Sequence, residues 1–178
     1  GKGAVVLVPE ISLTAQTVGR FRSRFGEQVA VLHSKLSLGE RFDQWDLIRQ
    51  GRARVIVGAR SALFAPIQNP GLYIIDEEHE ASYKQDSLPR YHAREVAAQM
   101  ARLRGAALVL GSATPSLESL YRTAQGSWHG TNWTRVAMTQ RPGVAVLPQV
   151  QVVDMASQFK NGGRSVFSAA LALALQET

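Results

Sequence analysis

Cysteine is absent from the 178 residues, so they can hold neither a disulfide nor a thiolate metal site, a composition that suits a reducing compartment. No apolar run approaches the ~20 residues that a membrane-spanning helix needs. The start of the chain lacks the basic-then-apolar pattern of a secretory signal, and the expectation is a cytoplasmic protein with no membrane partner. Histidine is sparse. His33, His79, His92 and His129 are the only four, and neither HExxH nor another close ligand pair occurs, which argues against a zinc site within these residues. Gly-x-Ser-x-Gly is missing as well, and with it the usual sign of an α/β-hydrolase serine. An initiator methionine is lacking and the last apolar helix pattern breaks off at the chain end, so the sequence reads as an internal piece of a longer protein.

What is present is ordinary for a globular domain: 45% hydrophobic residues in a length that fits one core, which excludes a disordered chain. The net charge of +6 is unevenly placed. Residues 1–60 carry ten Lys/Arg against five Asp/Glu, whereas residues 61–126 carry six against seven. A basic first third attracts polyanions, and nucleic acid is the leading candidate partner, beside a merely solvated basic surface.

Extended and helical patterns alternate, as in βαβ units around a parallel sheet. Ala4 to Val8 reads as a first strand, and Ser12 to Phe25 as a helix with Val18, Phe21 and Phe25 on one face. Gln28 to Leu32 returns as a strand. Ser37-Leu38-Gly39-Glu40 has capping-box spacing ahead of an amphipathic helix whose Leu38, Phe42, Trp45 and Ile48 or Arg49 share one face, with Gly51 ending it. Phe21, Phe25, Phe42 and Trp45 are expected in the core. Arg54 to Gly58 and Leu72 to Asp76 supply two more strands. A helix from about Arg94 to Arg104, with Val96, Met100 and Leu103 inward, leads to the strand Ala107 to Leu110. Pro115 and Ser116 suit the start of a helix over roughly Leu117 to Ala124, closed by Gly126. Pattern fades between Ser127 and Arg141, where Trp128 and Trp133 have no assigned role. Val144 to Asp154 reads as extended, residues 160–164 as a linker, and Val166 to Glu177 as a final helix.

The strongest chemical signal is Leu72-Tyr73-Ile74-Ile75-Asp76-Glu77-Glu78-His79. An apolar run delivers three carboxylates and an imidazole to the carboxyl end of a strand covered on both faces, which is where α/β proteins bind ligands. One carboxylate there can hold the Mg²⁺ that bridges outer nucleotide phosphates, while its neighbour orients the attacking water. A solvated loop cluster is the bland alternative. Ser112-Ala113-Thr114 follows another apolar strand, placing hydroxyls where they can bond the acids or His79; a helix cap is the alternative for either residue alone. No GxxxxGK[ST] phosphate loop occurs anywhere in the 178 residues, and Gly1-Lys2-Gly3 does not form one.

Taken together, Asp-Glu-x-His followed by Ser-Ala-Thr resembles superfamily 2 helicases. Further segments carry a resemblance to the PriA family of replication-restart DNA helicases along nearly the whole chain. They are Leu7 to Gln16, His33-Ser34, Gly58 to Pro66, Ser82-Tyr83-Lys84-Gln85, Pro89 to Arg94 and Gly111 to Ser116. The resemblance implies an α/β fold of the RecA-like, P-loop NTPase type: a mostly parallel sheet flanked by helices, here without the P-loop strand and helix. Residues 1–159 would be a partial first motor lobe beginning after the Walker A region, and residues 160–178 a linker and truncated helix toward the second lobe. ATP and Mg²⁺ are the implied cofactors, with the family's zinc module lying outside this segment. Asp76 would coordinate Mg²⁺, Glu77 would activate water, and His79 with Ser112 and Thr114 would couple hydrolysis to DNA. Pro9, Glu10, Thr14, Gln16, Arg60 and Ser61 match segments that lie along single-stranded DNA.

Between Ser82 and Arg94, two tyrosines, a histidine, a lysine and two arginines crowd thirteen positions. Such mixing suits bases stacking on rings and phosphates pairing with cations. In the family this region resembles an aromatic-rich loop that senses DNA and triggers hydrolysis, which makes Tyr83, Lys84, Tyr91, His92 and Arg94 candidate DNA contacts; tyrosines packed on the domain are the alternative. Lys35 stands where glycine is usual and Ala59 where threonine is common. Implied partners are single-stranded and forked DNA, primosome proteins and single-strand-binding protein, in a 3′-to-5′ helicase that restarts stalled forks. Non-catalytic DNA-binding or scaffold use of a motor fold is the rival, and an RNA-directed hydrolase a further one. The 178 residues alone are expected to be a poor ATPase.

Overall fold

The computed structural model of the chain describes residues 1–128, 130–140, 150–160 and 165–176. The chain divides into two compact units, Gly1–Arg135 and Val136–Thr178. The first unit is built on five parallel strands: β1 (Gly3–Leu7), β2 (Val29–Leu32), β3 (Val55–Gly58), β4 (Pro70–Ile75) and β5 (Ala107–Leu110), in the order β2-β3-β1-β4-β5. Four helices belong to this unit: α1 (Ala15–Phe25), α2 (Leu38–Arg49), α3 (Ala93–Arg104) and α4 (Leu117–Gln125).

Alternate strand residues point to opposite sides of a pleated sheet, and each side has its own apolar core. Val5, Leu7, Ile56 and Ile75 gather with Ile48 of α2 and Ala93, Ala97 and Ala101 of α3. Val6, Val8, Val29, Val31 and Val57 gather with Leu13 and with Val18 and Phe21 of α1. This arrangement is the mostly parallel, helix-flanked RecA-like sheet expected of the sequence. Gly58 marks its tightest point: a Cβ there would stand 2.2 Å from the Leu32 carbonyl oxygen and 2.7 Å from the Ala62 Cβ.

Several local expectations are corrected. The helix placed at Ser12 starts at Ala15, after a short 3₁₀ turn over Glu10–Ser12, because the Thr14 hydroxyl accepts the Thr17 amide and caps it. Phe25 at its end is largely exposed. The Ser37–Glu40 capping box forms in both directions, yet α2 is rotated from the expected face: Leu38 is 84% exposed, and Phe42 and Trp45 also face outward. Gln44 sets that rotation. Its side-chain oxygen accepts the Val31 amide at 2.9 Å on the free side of edge strand β2, which turns Leu47 inward beside the expected Ile48. In α3 the inward stripe is the alanine series 93, 97 and 101, flanked by Val96 and Met100, while Leu103 is 74% exposed. Small side chains let the helix lie close to the sheet.

Past α4, the segment in which the sequence pattern fades forms a hairpin of β6 (Ser127–Trp128) and β7 (Thr131–Asn132). In the second unit, α5 (Met155–Lys160) and α6 (Ala169–Gln176) are helical. Of the extended segment expected over 144–154, residues 150–154 form no strand, and the rest lies outside the described residues. Lys160, expected in a linker, ends α5, and residues 161–164 lie outside the described residues. The last helix begins at Ala169 rather than Val166. Among the described residues no helix is long and apolar enough to cross a membrane.

Candidate functional site

Parallel pairing brings the carboxyl ends of all five strands to one edge, so the segments after β1, β3, β4 and β5 become neighbours although they are far apart in sequence. The decisive adjacency is β4 with β5. Ile75 pairs with Leu110, the Gly111 amide donates to the Ile75 carbonyl at 2.9 Å, and the Glu78 amide donates to the Gly111 carbonyl at 3.0 Å. Asp76 and Gly111 therefore sit side by side: a Cβ on Gly111 would lie 3.6 Å from Asp76 Oδ1.

Residues 76–79 form a turn in which Glu77 takes φ +46°, a left-handed conformation that non-glycine residues seldom adopt. Such strain concentrates at functional sites. Each residue of the turn has a different environment. Asp76 is exposed, and its carboxylate enters no hydrogen bond or ion pair among the described residues. Glu77 Oε2 lies 3.5 Å from His79 Nδ1. His79 Nδ1 is 2.7 Å from Ser112 Oγ, and its Nε2 is 3.5 Å from Thr114 Oγ1. Ser112 Oγ also accepts the Thr114 amide at 3.0 Å, which fixes the turn carrying both hydroxyls.

Glu78, to which the sequence reading gave no role, is the hub of the site. It is 1% exposed. Its Oε2 accepts from Arg94 Nη1 at 2.7 Å, from Ser116 Oγ at 3.0 Å and from Ser119 Oγ at 3.1 Å, and its Oε1 accepts the Ser116 amide at 2.7 Å. Burial pushes this carboxyl upward, but the Ser116 amide, the Arg94 guanidinium and the Ser116 hydroxyl together outweigh burial and hold it below the ordinary glutamate range. Next to it, Arg122 Nη2 donates to both carboxylate oxygens of Glu95 at 2.8 Å, and the guanidinium lies 5.3 and 5.2 Å from the ring centres of Trp128 and Trp133. The two tryptophans thus fasten the hairpin to α4. No local sequence pattern separates Glu78 from its acidic neighbours.

The candidate DNA contacts fall into two groups. Glu10, Gln16, Ser61 and Lys84 are exposed, and Tyr91 and His92 are half-buried. Thr14 is exposed but uses its hydroxyl as a helix cap, and Pro9 is buried at the end of the β1 segment. Two assignments are corrected outright. Arg94 is 4% exposed and spent on Glu78, and Tyr83 is 1% exposed, its hydroxyl donating to the Asp76 carbonyl at 2.7 Å. Neither reaches the surface, because each satisfies a polar group that the acidic turn buries. Burial, followed by the charges of Asp76, Glu80 and Glu77, raises the Tyr83 pKa and keeps it a protonated donor. Arg60 is not a free cation either: Nη1 donates to the Ser82 carbonyl at 3.0 Å and to the Lys84 carbonyl, and its guanidinium lies over Tyr91, 5.7 Å from the ring centre. Tyr91 in turn meets Phe64 edge-on.

Residues 1–123 match the family model described as DEAD/DEAH box helicase. The chain belongs to that family. Among curated relatives, this helicase domain is 52% identical to the replication restart protein PriA of Bacillus subtilis over 100% of its length and 22% of the relative's. It is 48% identical to PriA of Synechocystis sp. over 99% of its length and 21% of the relative's. Against PriA of Haemophilus influenzae the identity is 41%, over 93% of the chain and 22% of the relative. The chain thus spans about a fifth of the length of the curated relatives it matches. Among solved structures, the C-terminal domain of S. cerevisiae Dbp5 bound to Gle1 and IP6 superposes with a TM-score of 0.50 at 18% identity, covering 75% of this chain and 74% of that one, which shows the shared fold alone.

Among the described residues no group of three or more His, Cys, Asp or Glu side chains gathers to hold a metal ion. In helicase-family sites Mg²⁺ is commonly held by one or two carboxylates together with substrate phosphates and water rather than by a protein cage. Asp76, exposed at the strand end and without a side-chain partner among the described residues, could supply such a carboxylate.

Proposed function

We infer that this chain is part of the first motor lobe of an ATP-dependent, 3′-to-5′ DNA helicase of the PriA type, working in the cytoplasm to reassemble a primosome at stalled replication forks. In this reading residues 1–159 belong to the lobe and residues 160–178 lead toward a second one. The observation that carries it is the imidazole of His79, set between Glu77 of the acidic turn and the hydroxyls of Ser112 and Thr114. Mg²⁺ held by Asp76 would neutralise charge on the outer phosphates of ATP. Glu77 orients the attacking water and accepts its proton. His79, touching both strand tips, couples the acidic turn to the Ser112–Thr114 segment.

Single-stranded DNA would run along the same sheet edge, over Glu10, Gln16 and Ser61 and toward Lys84, Tyr91 and His92. Neutral donors there hold a sugar-phosphate backbone without reading its sequence, and Tyr91 offers a ring face for a base. Primosome proteins and single-strand-binding protein are the partners this role implies.

The test is ATP turnover by the intact helicase, with and without single-stranded DNA. Glu77→Gln, which removes the proton acceptor at nearly constant size, is expected to lower DNA-stimulated turnover by about 100-fold or more with nucleotide and DNA affinity retained. The 178-residue chain alone, which lacks a GxxxxGK[ST] loop, is expected to bind DNA without turning over ATP. Undiminished turnover in the Glu77→Gln enzyme would instead favour a scaffold role for the motor fold.

A further inference from the structure

A cleft lies along the free edge of β2, away from the acidic turn. Helix α1 packs on one face of the sheet through Val18 and Phe21, and α2 packs on the other through Leu47 and Ile48, so the two helices stand on either side of this edge strand. Between them is a cavity of about 430 Å³ whose apolar lining includes Val18, Val31 and Leu36. That volume is within the range of small-molecule sites and accommodates a planar double ring. Thr14 and His33, both just past strand tips, also line it, so the cavity adjoins the carboxyl edge of the sheet.

The polar groups of this cleft lack partners. The Arg22 guanidinium and the Asp43 carboxylate both line it, and neither enters a hydrogen bond or ion pair among the described residues. Glu40, in the same lining, is by contrast held in the capping box with Ser37. Gln44 is fixed by the Val31 amide, which it accepts through its oxygen at 2.9 Å, while its NH₂ group makes no hydrogen bond among the described residues. His33 Nδ1 is buried without a partner. A buried ring nitrogen left unbonded is costly, and an occupant of the cleft would relieve it. Asp43 carries a charge that repels phosphates, beside an edge read as a path for them; hydrogen bonds from a base would give that carboxylate a use.

A guanidinium and a carboxylate in one apolar-walled cleft discriminate between bases by their edges. The arginine fork matches two adjacent acceptors, as in N7 and O6 of guanine, and the two oxygens of a carboxylate match two adjacent donors. Guanine supplies both sets, with N7 and O6 on one edge and N1–H beside the N2 amino group on the next. No other base of DNA presents two neighbouring donor nitrogens. We propose that the α1–α2 cleft is a guanine-binding site, in which Asp43 accepts from N1–H and the N2 amino group, Arg22 donates to O6 and N7, and Gln44 and His33 satisfy the remaining polar atoms of the ring. The ring has two possible sources, a base turned out of a single strand that passes Thr14 and Gln16, or a free guanine nucleotide. The first source rests on the helicase reading and the second does not.

Two binding measurements on the intact helicase separate these sources. Fluorescence anisotropy compares oligo(dT) with the same oligomer carrying one central dG, dA or deoxyinosine, the last being guanine without its N2 amino group, and calorimetry with GMP tests the free nucleotide. A single dG is expected to tighten binding about tenfold over dT or dA, the size of one good bidentate contact, and deoxyinosine to lose most of that gain. Asp43→Asn changes an exposed residue without a partner, so it should abolish the gain and leave oligo(dT) affinity within about twofold. Arg22→Lys, which keeps the charge and loses the fork, should do the same. A dG preference without GMP binding assigns the cleft to the strand, and GMP binding that vanishes in Asp43→Asn without a dG preference assigns it to the free nucleotide. Equal affinity for all four oligomers together with no GMP binding overturns the proposal, as does a dG preference or GMP binding that survives both substitutions. Failure to bind any oligomer would sink the helicase reading instead, and the GMP measurement would still decide the cleft.

Discussion

Replacing Arg94 with alanine isolates what its ion pair does for the fold. The pair is enclosed, with side-chain exposures of 5% for Arg94 and 1% for Glu78 at 2.7 Å. Removing one partner of such a pair leaves the other charge buried and costs about 3–5 kcal/mol. Three donors stay with Glu78, namely the Ser116 amide and the hydroxyls of Ser116 and Ser119, which places the expected cost near the lower bound, about 3 kcal/mol. For a unit of this size that corresponds to a fall of roughly 12 °C in thermal midpoint, at about 4 °C per kcal/mol. The exposed Arg49–Asp46 pair, also at 2.7 Å but with exposures of 67% and 29%, serves as a control. Alanine there is expected to cost less than about 1 kcal/mol.

The pH dependence of the Arg94→Ala cost is a sharper signature than its size. In the parent chain Glu78 titrates below the ordinary glutamate range, so its stabilisation is fully present above that range and is lost as pH falls through the folded-state value. Without the guanidinium, two of the influences that lower the carboxyl are lost while burial still raises it, so the folded variant takes up a proton more readily than the folded parent does. The stability gap between parent and variant should therefore be widest near neutrality and narrow as pH drops through the ordinary glutamate range. Urea denaturation across that range measures it. A gap below about 1 kcal/mol at neutral pH, or one that does not narrow with acid, would refute the reasoning.

Burial, with the Arg94 charge second, lowers the His92 pKa, so the folded chain keeps this ring neutral when the unfolded chain already protonates it. Stability should fall as pH drops from the ordinary histidine range toward the lower folded value. His92→Asn, which keeps a cap acceptor and removes the titration, should flatten that slope in denaturation curves, and an unaltered slope would place the titration elsewhere. Gly58→Ala pushes a methyl group to within 2.2 Å of the Leu32 carbonyl oxygen between two core strands, where backbone has to move. A loss of at least about 2 kcal/mol in urea stability is expected. A neutral result would mean that β2 and β3 can separate freely at that point.

The elements that were legible in sequence share one property: their signals are local. Four of the five sheet strands begin and end within two residues of the expected bounds, and β5 matches them at both ends, because apolar runs flanked by Gly, Pro and polar residues need no distant partner to be read. The Ser37–Glu40 box is complete within four residues and formed as written. Helix faces were less legible. Hydropathy alone favoured Leu38, Phe42 and Trp45, but a single hydrogen bond from Val31 to Gln44 rotates α2, and alanines too small to dominate a hydropathy pattern line the buried face of α3.

Charged and aromatic residues crowded after the acidic turn read as contacts for DNA, and for Lys84, Tyr91 and His92 the structure leaves that open. For Tyr83 and Arg94 it does not, because a turn that buries Glu78 needs donors, and these two supply them. What the amino-acid sequence determined by itself is the succession of strands and helices, the caps between them and the chemistry placed at each strand tip. Strand order was decided only in three dimensions: β4 lies beside β5, which sets Asp76 next to Gly111 and His79 against Ser112. A carboxylate such as Glu78 is indistinguishable from its neighbours along the chain, since burial and pairing are properties of segments that meet only when the sheet closes around them.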